Sequence, residues 1–196
     1  MSTSEPSNWP DLFILNEFLP SSTCEQIIAE MNATQSEAAT VYAHTAAGAV
    51  NQNIRQTLRV RPTQTTVEQI VHRLLEQKRT IEEHFRVNLS ECEDPQFLRY
   101  RLGDFFVAHQ DGNTGMLRLD SERRLISLVI FLSRESELPE PDAHCGGSLV
   151  FTDLRSGRKF HLVGERAMLV AFRSETTHEV TPVTSGERCS IVSWFR

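Results

Sequence analysis

Apolar positions fall into two textures along the chain. Up to roughly residue 90 they recur at helical spacing, and from Gln96 onward they form short runs of strand length. The first texture opens with residues 11–20, DLFILNEFLP, read as a short apolar strand stopped by Pro20. Ser22-Thr23-Cys24-Glu25 follows, a capping-box pattern in which a hydroxyl and a carboxyl three residues on satisfy the free amides of a helix start. That helix would carry Ile27, Ile28 and Met31. Residues 34–48 are rich in Ala, Thr and Ser, keep no period, and are expected to be loop with pieces of strand; residues 53–60 read as extended. A second capping box, Thr65-Thr66-Val67-Glu68, predicts a long amphipathic helix with Val67, Ile70, Val71, Leu74, Leu75, Ile81 and Phe85 on one face.

The second texture consists of FLRYRL, FFVAH, RLISLVIFLS, GSLVFTDL, KFHLV, RAMLVAF, HEVTPV and RCSIVSWF. Turn-forming groups separate several of these runs, among them Asp111-Gly112-Asn113, Pro139-Glu140-Pro141-Asp142, Ser156-Gly157 and Ser185-Gly186. Helices followed by about eight strands predict an α+β fold whose strands wind as a jelly roll or another double-sheet barrel. Residues 1–10, polar and with two prolines, are expected to be a flexible tail. Residues 11–196 are expected to form a single domain, with helical support mainly in 21–90 and the strand core mainly in 96–196.

Composition narrows the function. A formal net charge of −6 offers no basic face for a phosphate backbone, so no nucleic-acid partner is expected. Cys24, Cys92, Cys145 and Cys189 are scattered without a C-x-x-C pair and read as reduced thiols. The first residues lack the basic and apolar regions of a secretory leader, and no run reaches the length of a membrane span. No membrane partner and a cytoplasmic location are the expectation.

Three places carry chemistry. His109 and Asp111 close the run Phe105-Phe106-Val107-Ala108, and the two-residue period of a strand points them the same way. An imidazole and a carboxylate so placed make two adjacent ligands of an octahedral ion; a surface histidine and a turn-starting aspartate are the plainer reading. His178 follows a buried-looking strand and a polar link, and a jelly roll can return it to that pair. The result would be a two-His, one-carboxylate face with three open positions, as non-haem Fe(II) needs. Arg188 begins the last strand. Buried there, a guanidinium would be costly without an anion such as the distal carboxylate of 2-oxoglutarate, whereas an edge strand would leave it in solvent.

The residues from Tyr100 to Asp111 (YRLGDFFVAHQD), then Gly146-Gly147-Ser148-Leu149-Val150-Phe151, His178-Glu179-Val180-Thr181-Pro182-Val183, Gly186-Glu187-Arg188 and Ser193-Trp194-Phe195 together resemble the prolyl 4-hydroxylase-like 2-oxoglutarate oxygenases. The likeness covers residues 96–196. It implies a double-stranded β-helix (jelly roll, cupin-like) with N-terminal supporting helices. It also implies Fe(II) at His109, Asp111 and His178, 2-oxoglutarate held by Arg188 with help from Tyr100, and O2 as second cosubstrate; a need for ascorbate stays open. Arg188, where collagen-type members carry lysine, and the run His-Glu-Val look more like the hypoxia-type hydroxylases. Phe131 departs from them, standing where they tend to place a tyrosine hydroxyl.

The resemblance further implies a prolyl residue in a protein or peptide as substrate. A free amino acid or other small molecule, or a non-catalytic sensor of metal and 2-oxo acid, are the alternatives. It would place residues 44–60 as a lid over the site, with Arg55 touching substrate. Gly146-Gly147 reads either as a close backbone approach or as a bulge. His144 with Cys145, and His72, His84 and His161, carry no expected role. Thr176 and Thr177 are candidates for hydrogen bonds near iron, and Phe172, Trp194 and Phe195 are expected in the core.

Overall fold

The computed structural model describes residues 9–39, 53–112 and 123–196. Its first half runs β1 (Leu12–Leu15), α1 (Ser21–Ala33), β2 (Ser36–Ala38), β3 (Arg55–Gln56), β4 (Leu58–Val60) and α2 (Gln64–Phe85). Among the described residues strands follow: β5 (Gln96–Tyr100), β6 (Phe105–His109), β7 (Ile126–Phe131), β8 (Arg134–Glu135), β9 (Ala143–Gly146) and β10 (Leu149–Thr152). The chain ends with β11 (Lys159–Leu162), β12 (Leu169–Arg173), β13 (His178–Val180), β14 (Val183–Ser185) and β15 (Arg188–Phe195).

The strands form a larger sheet in the order β1-β12-β7-β15-β5-β4-β2 and a smaller one in the order β11-β10-β13-β6-β3. Sequence-distant strands thus lie side by side in two antiparallel sheets, the winding of a double-stranded β-helix. All eight apolar runs became strands, the seventh divided between β13 and β14. The eight runs did not show the third sheet, β14-β9-β8, whose β8 and β9 pair in parallel.

Side-chain alternation along β7 explains the layering. Ile126, Leu128 and Ile130 meet Ile70, Leu74, Ile81 and Phe85 of α2 in one core. Val129 and Phe131 point the other way, into a second core with Leu149, Phe151, Val170 and Phe172 between the sheets. With both faces covered, every residue of β7 is buried.

Both helix starts differ from the expected capping boxes. α1 begins at Ser21 with Pro20 at its N-cap, two residues before the expected cap Ser22, and has no side-chain cap; the carbonyl of Pro20 takes the N–H groups of Thr23 and Cys24 instead. α2 is capped by Thr63, whose hydroxyl accepts from the Thr66 N–H. Glu30 of α1 completes that cap by accepting from the Thr63 N–H and, at 2.6 Å, from the Thr66 hydroxyl. A contact between helices therefore overrode the local pattern. Leu75, expected on the buried face, is 44% exposed. Most of the segment 34–48 and part of the expected lid lie outside the described residues, as does most of the expected tail. Among the described residues no helix is long and apolar enough to cross a membrane.

Candidate active site and metal centre

Cross-strand pairing builds the first part of the site. In the smaller sheet β13 runs antiparallel to β6, and its register sets His178 directly opposite His109. The Nε2 atoms of both rings face Asp111, at 3.6 Å from Oδ1 for His109 and 3.5 Å from Oδ2 for His178. One donor atom from each of the three residues lies within 4.8 Å of the others, close enough to converge on one metal ion.

Both imidazoles are preset for that task. His109 Nδ1 lies 2.8 Å from the Val107 carbonyl, and His178 Nδ1 lies 2.9 Å from the Thr176 carbonyl. A carbonyl only accepts, so each Nδ1 carries the proton and each Nε2 turns a lone pair toward Asp111. Burial and the neighbouring His109 push the His178 pKa down to about 4, which favours the neutral, ligating form. Burial opposes ionisation of Asp111, but whenever the neighbouring histidines carry a proton on the side facing it, the pull of His178 and His109 outweighs burial and holds the carboxyl well below the usual range. Two neutral imidazoles and one carboxylate fit a divalent ion that keeps open positions.

Aromatic rings enclose the pair. Phe106 stacks on His109 at 3.6 Å between centroids, and Phe172 meets His178 edge-on at 4.7 Å. Arg55, 8% exposed on β3, places its guanidinium 4.8 Å from the Phe106 ring centre.

The second part of the site lies on the larger sheet. Arg188 of β15 pairs in register with Tyr100 of β5 and is only 2% exposed. Its guanidinium carbon lies 5.0 Å from the Tyr100 ring centre and 5.3 Å from that of Phe131. Nη1 donates to Ser190 Oγ at 2.8 Å, whereas Nε has no acceptor. Among the described residues no carboxylate forms an ion pair with this cation, and burial pushes its pKa down. A buried charge in that state is costly unless an anion joins it. Phe131 thus supplies an aromatic wall for the cation.

The glycine pair fits both readings: the register of β14 with β9 shifts beside Gly146, and Gly147 makes a close approach. Its φ is +66°, and a Cβ there would lie 2.9 Å from Val183 Cγ2 and 3.0 Å from Arg188 Cδ. Glycine lets the chain pass beside the arginine stem.

One cavity of about 340 Å³ joins the two parts. His109, Asp111 and His178 line it together with Tyr100 and Arg188, and Leu98, Leu149, Val180 and Val192 add apolar wall. Arg55 also lines it. Trp194, expected as core, lines it too while remaining buried, and carries the Arg124 guanidinium 3.6 Å from its ring centre. Glu93 fixes Arg124 through two hydrogen bonds of 2.9 and 2.7 Å. Gln96, Phe106 and Arg124 are lining residues that sequence reasoning missed; the only available signal was their alternation with known wall positions, as Gln96 alternates with Leu98 and Tyr100. Thr176 serves through its carbonyl, and the Thr177 hydroxyl accepts from Gln110. His144 and Cys145 are absent from the metal-binding group.

The 2OG-Fe(II) oxygenase superfamily model matches residues 95–196. The chain belongs to that superfamily. Its members take their name from Fe(II) and 2-oxoglutarate, and this chain brings together a His-Asp-His trio that could hold a metal ion and a buried arginine. A PKHD-type hydroxylase of Shewanella sp. (strain ANA-3) is 36% identical over 107 residues, 52% of this chain and 42% of the relative. The alignment thus spans less than half of that relative's length. The fold is shared with a Pseudomonas putida prolyl-4-hydroxylase at a TM-score of 0.71 and 24% identity, covering 95% of this chain and 92% of the other. It is also shared with a Trichoplax adhaerens prolyl hydroxylase solved with a hypoxia inducible factor peptide fragment, at a TM-score of 0.69 and 16% identity, covering 96% and 84%.

Proposed function

We propose that this oxygenase hydroxylates a prolyl residue in a protein or peptide while converting 2-oxoglutarate to succinate and CO2. His109, Asp111 and His178 hold Fe(II), and Arg188 with Tyr100 holds the distal carboxylate of the cosubstrate. The observation that carries this reading is the shared cavity, with a His-Asp-His trio that could hold a metal ion in its wall and a buried cation that, among the described residues, forms no ion pair with a carboxylate. Bound Fe(II) supplies the redox chemistry that couples oxidative decarboxylation to insertion of one oxygen atom of O2 into a C–H bond.

The chain's own residues supply position and exclusion. His109 and His178 keep Nε2 free by donating from Nδ1, and Asp111 contributes the one negative charge. Arg188 offers a planar fork to a carboxylate, and the apolar wall around it strengthens that contact by excluding water. Arg55, beside Phe106 at the cavity edge, is the residue proposed to touch the substrate backbone. The prolyl assignment is supported by the prolyl hydroxylases that share this fold and by the hydroxylase name of the Shewanella relative.

Proline-containing peptides of graded length, compared with free proline, test the substrate class in the presence of Fe(II), 2-oxoglutarate and air. Succinate release with a gain of one oxygen that grows with peptide length is expected. Equal turnover of free proline would replace the peptide with a small molecule. Cosubstrate binding without succinate under every condition would replace the enzyme with a sensor.

A further inference from the structure

Asp111 is held from the opposite sheet. It lies just past β6 of the smaller sheet, whereas Ser127 belongs to β7 of the larger one. Ser127 Oγ donates to Asp111 Oδ2 at 2.7 Å and lies 3.0 Å from Ser174 Oγ. The two serines are 1% and 0% exposed. Because the Ser127 proton is committed to the carboxylate, the hydrogen bond between the serines must be donated by Ser174. The Ser174 carbonyl also accepts the N–H of Asp111 at 2.9 Å and that of Gly112 at 3.2 Å. Asp111 is therefore fixed at its backbone and at its carboxylate by one pair of serines.

The position of Ser127 makes filler an unsatisfactory explanation. β7 reads ISLVIF, so Ser127 is the one polar side chain in a strand buried throughout. It shares a strand face with Val129 and Phe131, which pack between the sheets. A hydroxyl in such a place is unfavourable unless hydrogen-bonded, and an apolar residue would satisfy packing alone.

We propose that Ser127 is a positioning residue for the metal-binding carboxylate. By holding one oxygen it makes Asp111 present the carboxylate to the metal in a single orientation. Without Ser127 the carboxylate would be free to rotate away from the orientation in which it faces His109 and His178. The inference rests on the reading that His109, Asp111 and His178 bind Fe(II), and it adds what holds the carboxylate of that site in place.

The test is anaerobic Fe(II) titration and the Co(II) absorption spectrum of the full chain, for wild type, Ser127→Ala, Ser127→Thr and Ser174→Ala. Second-partner losses around metal ligands typically weaken binding by about 10- to 100-fold, and Ser127→Ala is expected in that range. Its Co(II) spectrum should change, since ligand geometry changes. Ser127→Thr keeps the hydroxyl and should restore both readouts, while Ser174→Ala leaves the Asp111 contact in place and should lose less. Unchanged affinity and an unchanged spectrum in Ser127→Ala would overturn the proposal. Should the alanine variant fail to fold by metal-free melting, Ser127→Thr and Ser127→Val have nearly the same size and differ in the hydroxyl; equal metal affinity in that pair would overturn it. Absence of metal binding in wild type would instead remove the underlying reading, and Asp111→Ala supplies the reference for complete loss.

Discussion

The two ends of the cavity are prepared in opposite ways. At the His109, Asp111 and His178 end nearly every polar group is already engaged: each Nδ1 donates to a carbonyl, and Asp111 receives Ser127. At the Arg188 end the cation is buried with a single side-chain hydrogen bond and no carboxylate partner among the described residues. On the proposed reading the first end would be organised before its ion arrives, and the second would keep a charge for the cosubstrate's carboxylate, concentrating binding energy where the ligand is recognised.

The largest expected effect comes from breaking the organised end. His178→Ala and Asp111→Ala should each lose stoichiometric Fe(II), read by metal analysis after anaerobic desalting, and retention of iron by either would remove that residue from the ligand set. Arg188→Met comes next and separates the ends. It should weaken 2-oxoglutarate binding by about 100-fold, as expected for a charge-assisted pair worth on the order of 3 kcal/mol. The ligand-free protein should become about 1–3 kcal/mol more stable in denaturant titrations, because a buried charge without a direct ion pair, opposed only at a distance by Glu135, is gone. Lower stability in the ligand-free variant would mean that the charge is already balanced within the protein.

The pH dependence of stability probes the same end. Burial and the nearby Arg188 charge push the His144 pKa down to about 4, from an ordinary 6.5. The fold therefore favours the neutral ring; its contribution is complete above pH 6.5 and is lost as pH falls toward 4. On the order of 2 kcal/mol should disappear between pH 6.5 and about 5, and less with 2-oxoglutarate bound, since an anion relieves the repulsion from Arg188. Urea titrations of wild type and His144→Gln across that range check this; equal slopes would contradict it. The smallest effect expected is that of Gly147→Ala, whose Cβ would press on the Arg188 stem. Cosubstrate affinity should fall by about 10-fold, roughly 1.4 kcal/mol, with Fe(II) affinity unchanged. A parallel loss of iron would show that the two ends are mechanically coupled.

Much of this arrangement was legible from residue pattern because it depends on period and order. The eight apolar runs became strands, and the two-residue offset of His109 and Asp111 did bring them together. His178 and Arg188 were legible as candidates, but their meeting depends on the register of β13 with β6 and of β15 with β5, which no single run encodes. Ser127 was silent for the same reason: one serine in a buried strand reveals its purpose only when the opposing sheet brings Asp111 to it. The cap on α2 failed as a local prediction because half of it comes from Glu30 of another helix. Alternation tells which face a side chain joins, and the contacts across sheets and helices decide what it does there.

Anaerobic calorimetry of 2-oxoglutarate binding to the Fe(II)-loaded protein, followed by succinate measurement on admitting air, compares wild type, His178→Ala and Arg188→Met side by side. Wild type should bind tightly and release succinate, His178→Ala should lose iron and succinate, and Arg188→Met should keep its iron while binding the cosubstrate weakly. Equal 2-oxoglutarate affinity in wild type and Arg188→Met would remove Arg188 from the cosubstrate site.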